Sequence, residues 1–311
     1  MQILARPQNY FGMTLCIGWI RQLPKSEEIC IAADSMFTGG GSRLPVAPKL
    51  FPLQRGDCAI ACAGNTGYTM PLVEHINHAI EINGPIKDRA YDFHHFVHLV
   101  EDVVNSCMAR EREEQINEQA GPDFSMILAG YSWVDKKSKL YTITFDKRTE
   151  KMKASSATTI MGSPVAVIGD YYLLPKVRRK IYKAFEEAGI KRGDAFGYEP
   201  LDVLTEYIND GSIESVGGHL QMLKIYPFMK VMPIGFFYPE EKRIYYYGRP
   251  LLKYETFPYP IFDVAEHVFK YMKVTSDKFE LVHEETQKLK KFKKKVASMP
   301  RKSKEKRKTN Y

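Results

Sequence analysis

Thr14, Asp34 and Lys49 are the residues of this 311-residue chain whose types and spacing suggest chemistry. Thr14 opens the strand-like run TLCIGWI (14–20), Asp34 closes EEICIAAD (27–34), and Lys49 opens KLFPL (49–53). An unperturbed threonine hydroxyl is a poor nucleophile, and a base must take its proton. If Thr14 is the first residue of the working protein, its own α-amine can do so, because such an amine has a pKa of about 7.7–8 and is partly neutral near pH 7. A fixed cation favours the alkoxide, a carboxylate holds that cation, and backbone N–H groups hold an oxyanion. Lys49, Asp34 and the glycine of AGN (63–65), Gly64, are candidates for these roles. Taken singly they are ordinary: Thr14 is a strand residue, an Asp–Lys pair beside a turn is worth about 0–1 kcal/mol, and Gly64 permits a turn.

The elements that must position them are read from periodicity. TLCIGWI and EEICIAAD are joined by a loop with Pro24; KLFPL and CAIACAG (58–64) form a second strand pair around QRGD. In two adjacent hairpins, the start of the first strand, the end of its return strand and the start of the next meet at one sheet edge. That brings Thr14, Asp34 and Lys49 together. Residues 68–82 and 91–119 have helical spacing, 124–133 and 139–146 return to strands, and VAVIG (165–169) precedes helices over 172–188 and 200–210. HLQMLKIY (219–226) and RIYYYGR (243–249) predict closing strands. Blocks of strands alternating with helix pairs predict an α+β fold of antiparallel sheets packed face to face with helices outside, not a doubly wound parallel sheet. FDVAEHVFKYM (262–272) and SDKFELVHEETQKLKKF (276–292) carry apolar residues at helical spacing, with Ser276 at an N-cap position, and predict a partly helical extension.

Composition bounds the rest. With 44% hydrophobic and 26% charged residues the chain is not compositionally disordered. The N-terminus lacks a secretory pattern and the apolar runs are shorter than the roughly 20 residues of a spanning helix, so a cytoplasmic location and no membrane are expected. Five cysteines are an odd set, expected to be reduced and core-filling; Cys58-x3-Cys62 is not a zinc spacing, and Cys16 reads as a packed thiol. His94 and His98 are four apart on one helix without acidic partners at ligand spacing, which favours a surface role over a metal. No metal is expected from these spacings, and the threonine chemistry above requires no metal or organic cofactor. The net charge of +8 resides in the tail, where residues 288–308 hold twelve Lys or Arg against one acid, Glu305. A solvated extension is the ordinary reading of residues 288–311; binding of nucleic acid or an acidic partner is the functional alternative.

MTLCIGWI, CIAADSMFTGGGSRLPVAPKLFPL and CAIACAGNTG resemble the start of proteasome β-type and HslV subunits, nearest the bacterial ancestral β-subunit branch, Anbu. The resemblance spans residues 14–250. It implies a four-layer αββα sandwich of the N-terminal nucleophile hydrolase type, peptide or protein substrates and homo-oligomeric rings or open helical assemblies, and leaves open whether an ATPase unfoldase takes part. Matched by motif, it implies Thr14 as nucleophile, Asp34 and Lys49 as its supports and Gly64 as an oxyanion donor. In VIGDYYLLPKV, Asp170 resembles the acidic residue of Anbu proteins where proteasomal subunits carry serine. In DGSIESVGG, Ser212 and Ser215 resemble the Anbu Ser-x-x-Ser; Asp210 lies near the aspartate that proteasomal subunits use, and Ser215 is the favoured supporting residue of the three. Residues 1–13 are expected to be a propeptide or a misassigned start. Gly12 resembles the glycine before the cut in self-processing propeptides, but Met13 intervenes. Translation from Met13 with removal of that methionine exposes Thr14 more simply. The competing expectations are an inactive assembly subunit of the same fold and a nucleic-acid-associated protein acting through its tail.

Overall fold

The computed structural model describes residues 14–23, 26–39, 42–114, 122–228, 230–275 and 278–283. The chain begins with β1 (Leu15–Leu23), β2 (Ser26–Ala33), a short hairpin of β3 (Phe37–Gly39) and β4 (Ser42–Leu44), then β5 (Leu50–Pro52) and β6 (Cys58–Gly64). Helices α1 (Thr66–Ile82), α2 (Gly84–Lys87) and α3 (Phe93–Glu114) follow. Next come β7 (Phe124–Ser132), β8 (Lys137–Asp146), β9 (Lys151–Ser156), β10 (Thr159–Ile160) and β11 (Ser163–Gly169), then α4 (Leu174–Glu187) and α5 (Glu199–Asp210). The last strands are β12 (Gln221–Tyr226), β13 (Lys230–Tyr238), β14 (Arg243–Tyr246), β15 (Arg249–Pro250), β16 (Ile261–Asp263), β17 (Val268–Thr275) and β18 (Lys278–His283).

Among the described residues, the large sheet runs β10-β11-β1-β2-β12-β13-β16-β17-β18, with β14 and β15 branching from β13, and the small sheet runs β5-β6-β7-β8-β9. Side-chain alternation along two strands explains the packing. Leu15, Ile17 and Trp19 of β1 join a core with Val177, Ile181 and Phe185 of α4 and Leu201 and Leu204 of α5. Cys16 and Ile20, on the opposite face, join Ala59, Ala61, Ala63, Ile127 and Ala129 of the small sheet in a second core. On β6 the same alternation sends Cys58, Ile60 and Cys62 toward α1 and α3, where Ile76, Phe96 and Val100 complete a third core. The small residues lie where the sheets meet. A Cβ on Gly18 would already stand 3.1 Å from Leu140 Cδ1. The fold is thus mixed α+β, with helices on the outer face of each sheet and an apolar core between the sheets.

Two features depart from the sequence reading. The first is that residues 230–238, with Pro233 among them, and residues 151–156 are strands not expected from periodicity. Residues 151–156 carry polar, exposed positions, and in residues 230–238 four consecutive residues from Pro233 to Phe236 are buried, so neither run shows a clear alternation. The second is a correction: the partly helical extension predicted over 262–272 and 276–292 is β structure as far as it is described, through residue 283. Asp263 Oδ1 accepts the N–H groups of Ala265 at 3.0 Å and Glu266 at 3.1 Å, and His267 takes φ 54°, so the chain reverses after β16 and pairs Ile261 with Lys270. β16 in turn pairs in parallel with β13, Gly235 opposite Ile261. A free strand edge offers unmet backbone groups, and satisfying them outweighs a local helical pattern. The leader (residues 1–13) and the basic tail (288–311) lie outside the described residues. Among the described residues no helix is long and apolar enough to cross a membrane.

Candidate active site

Antiparallel pairing of β1 with β2 sets Cys16 opposite Ala33, so the start of one strand and the end of the other share an edge. Just beyond β2 the Asp34 N–H donates to Leu15 O at 3.3 Å, and the Asp34 carboxylate turns inward. Its Oδ1 accepts Leu15 N–H at 3.1 Å and Lys49 Nζ at 2.7 Å; its Oδ2 accepts Met36 N–H at 3.0 Å and Gly217 N–H at 3.1 Å. Asp34 is 0% exposed, Thr14 5% and Lys49 6%. Removing two such charges from water is costly, and the short contact with a saturated set of donors offsets that cost.

Lys49 is held along its backbone as well. Its N–H donates to Gln221 Oε1 at 3.1 Å and its carbonyl accepts Cys62 N–H at 3.0 Å. The same Gln221 amide donates through Nε2 to Asp34 O at 3.0 Å and Ala47 O at 2.8 Å. One side chain from β12 therefore ties both ion-pair residues to a common frame. Cys16 lies within this field. Burial pushes its thiol well above the ordinary range, against the pull of Lys49, which leaves it unsuited to act as a thiolate.

Two glycines allow close backbone approach in this region, Gly169 against the start of β1 and Gly64 against the start of β7. Gly169 ends β11 opposite Leu15 with φ 142°, and a Cβ there would lie 2.0 Å from Thr14 O. Gly64 ends β6 with φ 100°, and its Cβ would lie 2.3 Å from Asp123 O. Neither position admits a side chain without backbone movement. Gly169→Ala is expected to destabilise the protein by about 3 kcal/mol in urea unfolding; a change below about 0.5 kcal/mol would show that β1 and β11 can separate here at little cost. Both glycines line a cleft of about 290 Å³ that also includes Asp123, Ser125, Thr142, Thr144, Asp170 and Arg178.

Asp170 follows Gly169 and is 3% exposed, while Ser215 is 8% exposed and donates through Oγ to Asp170 Oδ2 at 2.9 Å. Burial raises the Asp170 carboxyl above the ordinary aspartate value, with repulsion from Asp123 and Asp34 adding to it and hydrogen bonds from Ser215 and Tyr172 opposing it. Since the folded protein binds this proton more tightly than the unfolded chain, Asp170 adds stability below the unfolded value of about 3.9, and this is lost as pH rises through the raised folded value. Asp170→Asn is uncharged throughout and is expected to gain stability relative to the wild type between pH 4 and 7. A stability difference that stays flat across that range, measured in urea, would contradict this.

Of the residues singled out from sequence, Thr14, Asp34, Lys49, Gly64, Asp170 and Ser215 lie around this edge. Ser212 and Asp210 do not join them: both are exposed, and Ser212 Oγ donates to Asp210 Oδ2 at 2.6 Å. The left-handed Gly211 that ends α5 turns them outward. His94 pairs with Asp135 at 2.8 Å and His98 with Glu101 at 3.2 Å, both exposed. Sequence reasoning missed Gln221, Gly217 and Gly169. Gln221 had a signal, as a polar residue at the head of the apolar run QMLKIY; the two glycines had none that separated them from turn residues.

Fold and site together define a class: a mixed α+β protein of two packed sheets with a buried lysine–aspartate pair beside a strand-opening threonine. No family model matches the chain, and no curated protein matches it. Among solved structures it is similar to an Anbu (Gly-1) mutant from Hyphomicrobium sp. strain MC1, at 16% identity and a TM-score of 0.48, covering 70% of this chain and 84% of that one. That likeness is distant.

Proposed function

We propose that this protein, with Thr14 as its first residue, is a threonine-type N-terminal nucleophile hydrolase that cleaves amide bonds in peptides. The observation that carries this reading is the buried Asp34 carboxylate, which holds Lys49 Nζ at 2.7 Å and Leu15 N–H at 3.1 Å, one residue from Thr14. In the proposed reaction the Thr14 amine takes the Oγ proton as Oγ attacks the amide carbonyl. The lysine ammonium favours the alkoxide and keeps the neighbouring amine neutral, because like charge disfavours its protonation. The oxyanion is held by backbone N–H, with Gly64 as donor. The C–N bond then breaks, the amine's proton passes to the leaving nitrogen, and water hydrolyses the Thr14 ester to regenerate the hydroxyl. Asp170 and Ser215 support the site from the other side of Gly169. The same reading includes the four-layer αββα arrangement, self-assembly as a proteasome-like subunit and a cytoplasmic setting.

The experiment has two parts: intact mass and N-terminal sequence of the purified protein, then turnover of a fluorogenic peptide panel. Thr14 at the terminus together with hydrolysis supports the enzyme. Retention of the preceding residues on every molecule, with no hydrolysis, supports an architectural subunit of the same fold.

A further inference from the structure

The cleft beside Gly169 and Gly64 contains a cation that the proposed chemistry does not use. Arg178 lines it, its Nε is buried with no hydrogen-bond partner, and the guanidinium makes no ion pair among the described residues. A buried, unmatched guanidinium N–H is costly unless an acceptor arrives. The other polar lining comprises the hydroxyl-bearing Ser125, Thr142, Thr144 and Tyr171 and the carboxylates of Asp123 and Asp170. Neither acid is within ion-pair distance of Arg178, so the cleft presents a cation and carboxylates held apart. Asp170 Oδ1 is also buried without a partner.

Position gives this charge pattern a direction. Asp170 is next to Gly169, which abuts the Thr14 carbonyl. Arg178 is four residues beyond Leu174, the first residue of α4, about 6 Å along the axis at 1.5 Å per residue. Helical side chains lean back toward the N-terminus of their helix, which is the end of α4 that opens on the cleft. An extended peptide advances about 3.3–3.6 Å per residue, so the rise of about 6 Å from the first residue of α4 to Arg178 matches about two residues of bound peptide.

Resting on the hydrolase reading above, we propose that this cleft receives the leaving side of the substrate and that Arg178 selects peptides with a carboxylate within the first two residues after the cut bond. The carboxylate is either an acidic side chain or the peptide's own C-terminus. The acidic wall near Gly169 suits the N–H and the newly formed amine of the same fragment. A carboxylate meets the guanidinium fork in a bidentate, charge-assisted contact, whereas a carboxamide does not.

The test compares quenched-fluorescence peptides that differ only as Glu or Gln at the first or second leaving-side position, and a second set that differs only as free or amidated C-terminus, on the full chain. The expected result is a preference of about tenfold in kcat/KM for the carboxylate in at least one set, abolished in Arg178→Gln and partly kept in Arg178→Lys. The set that responds tells side chain from terminus. A wild type indifferent to charge in both sets, or a preference unchanged in Arg178→Gln, overturns the proposal. Binding of the same peptides to full-length Thr14→Ala, by calorimetry, separates this from failure of the hydrolase reading. Carboxylate-dependent binding lost in Thr14→Ala/Arg178→Gln without any wild-type turnover keeps the subsite and removes the chemistry, and carboxylate-independent binding removes the subsite.

Discussion

If Thr14 is the nucleophile of the proposed hydrolysis, Thr14→Ala is expected to lower kcat for peptide hydrolysis by about 10⁴-fold or more, to the assay background, because its loss removes the covalent route altogether. The fold should tolerate the change. Leu15 N–H still donates to Asp34 Oδ1, and the pairing of β1 with β2 and β11 is a backbone matter. Thr14→Ser retains the hydroxyl and loses one methyl group, so it should keep measurable turnover. The comparison is made on protein whose N-terminus has been established by mass spectrometry, with folding checked by circular dichroism. Turnover in Thr14→Ala equal to wild type would move the chemistry away from this residue.

Asp34→Asn should be the most destabilising substitution at the site. The carboxylate accepts four donors, three of them backbone N–H groups, from nearby Met36 and from the distant Leu15 and Gly217, and the fourth the ammonium of Lys49. Asparagine keeps one acceptor oxygen and turns the other position into a donor facing donors. Lys49, 6% exposed, is then a buried cation without its counter-charge. Breaking such a pair from one side costs about 3–5 kcal/mol, which for a chain of this size lowers the midpoint of thermal unfolding by roughly 10 °C. The double variant Asp34→Asn/Lys49→Met should lose less than the sum of the two single losses, since it leaves no buried unpaired charge. Additive losses would mean that the two groups stabilise the fold independently.

Much of the fold was legible because local pattern and tertiary role coincide. TLCIGWI and CAIACAG each alternate in residue size, and the structure sends Leu15, Ile17, Trp19 and Ile60 to the helices and Cys16 and the alanines, with Ile20, to the sheet interface. The pair of Asp34 with Lys49 was legible in part: each stands at the end of a strand in a short chain segment, but the sequence reading placed their hairpins on one sheet edge, whereas β2 and β5 belong to the two sheets that face each other. The C-terminal strands were not. FDVAEHVFKYM satisfies a helical period as well as a strand period over so short a run, and only the open edge of β13, which β16 fills in register, decides between them.

By itself the sequence determined which segments of the first hairpins pair locally, which faces are apolar, and that a threonine, an aspartate and a lysine come together; it placed all three on one sheet edge, whereas Lys49 precedes β5 of the small sheet and Asp34 follows β2 of the large one. Tertiary structure alone decided how that site is completed. Gln221 reaches Asp34 and Lys49 across separations of 187 and 172 residues, and Gly217 reaches Asp34 across 183. It also turned Ser215 inward and Ser212 outward, although the two are three residues apart in similar surroundings. The physical reason is the same in each case. Which backbone donor meets a buried carboxylate is set by the register between strands distant in sequence, and no local period records that register.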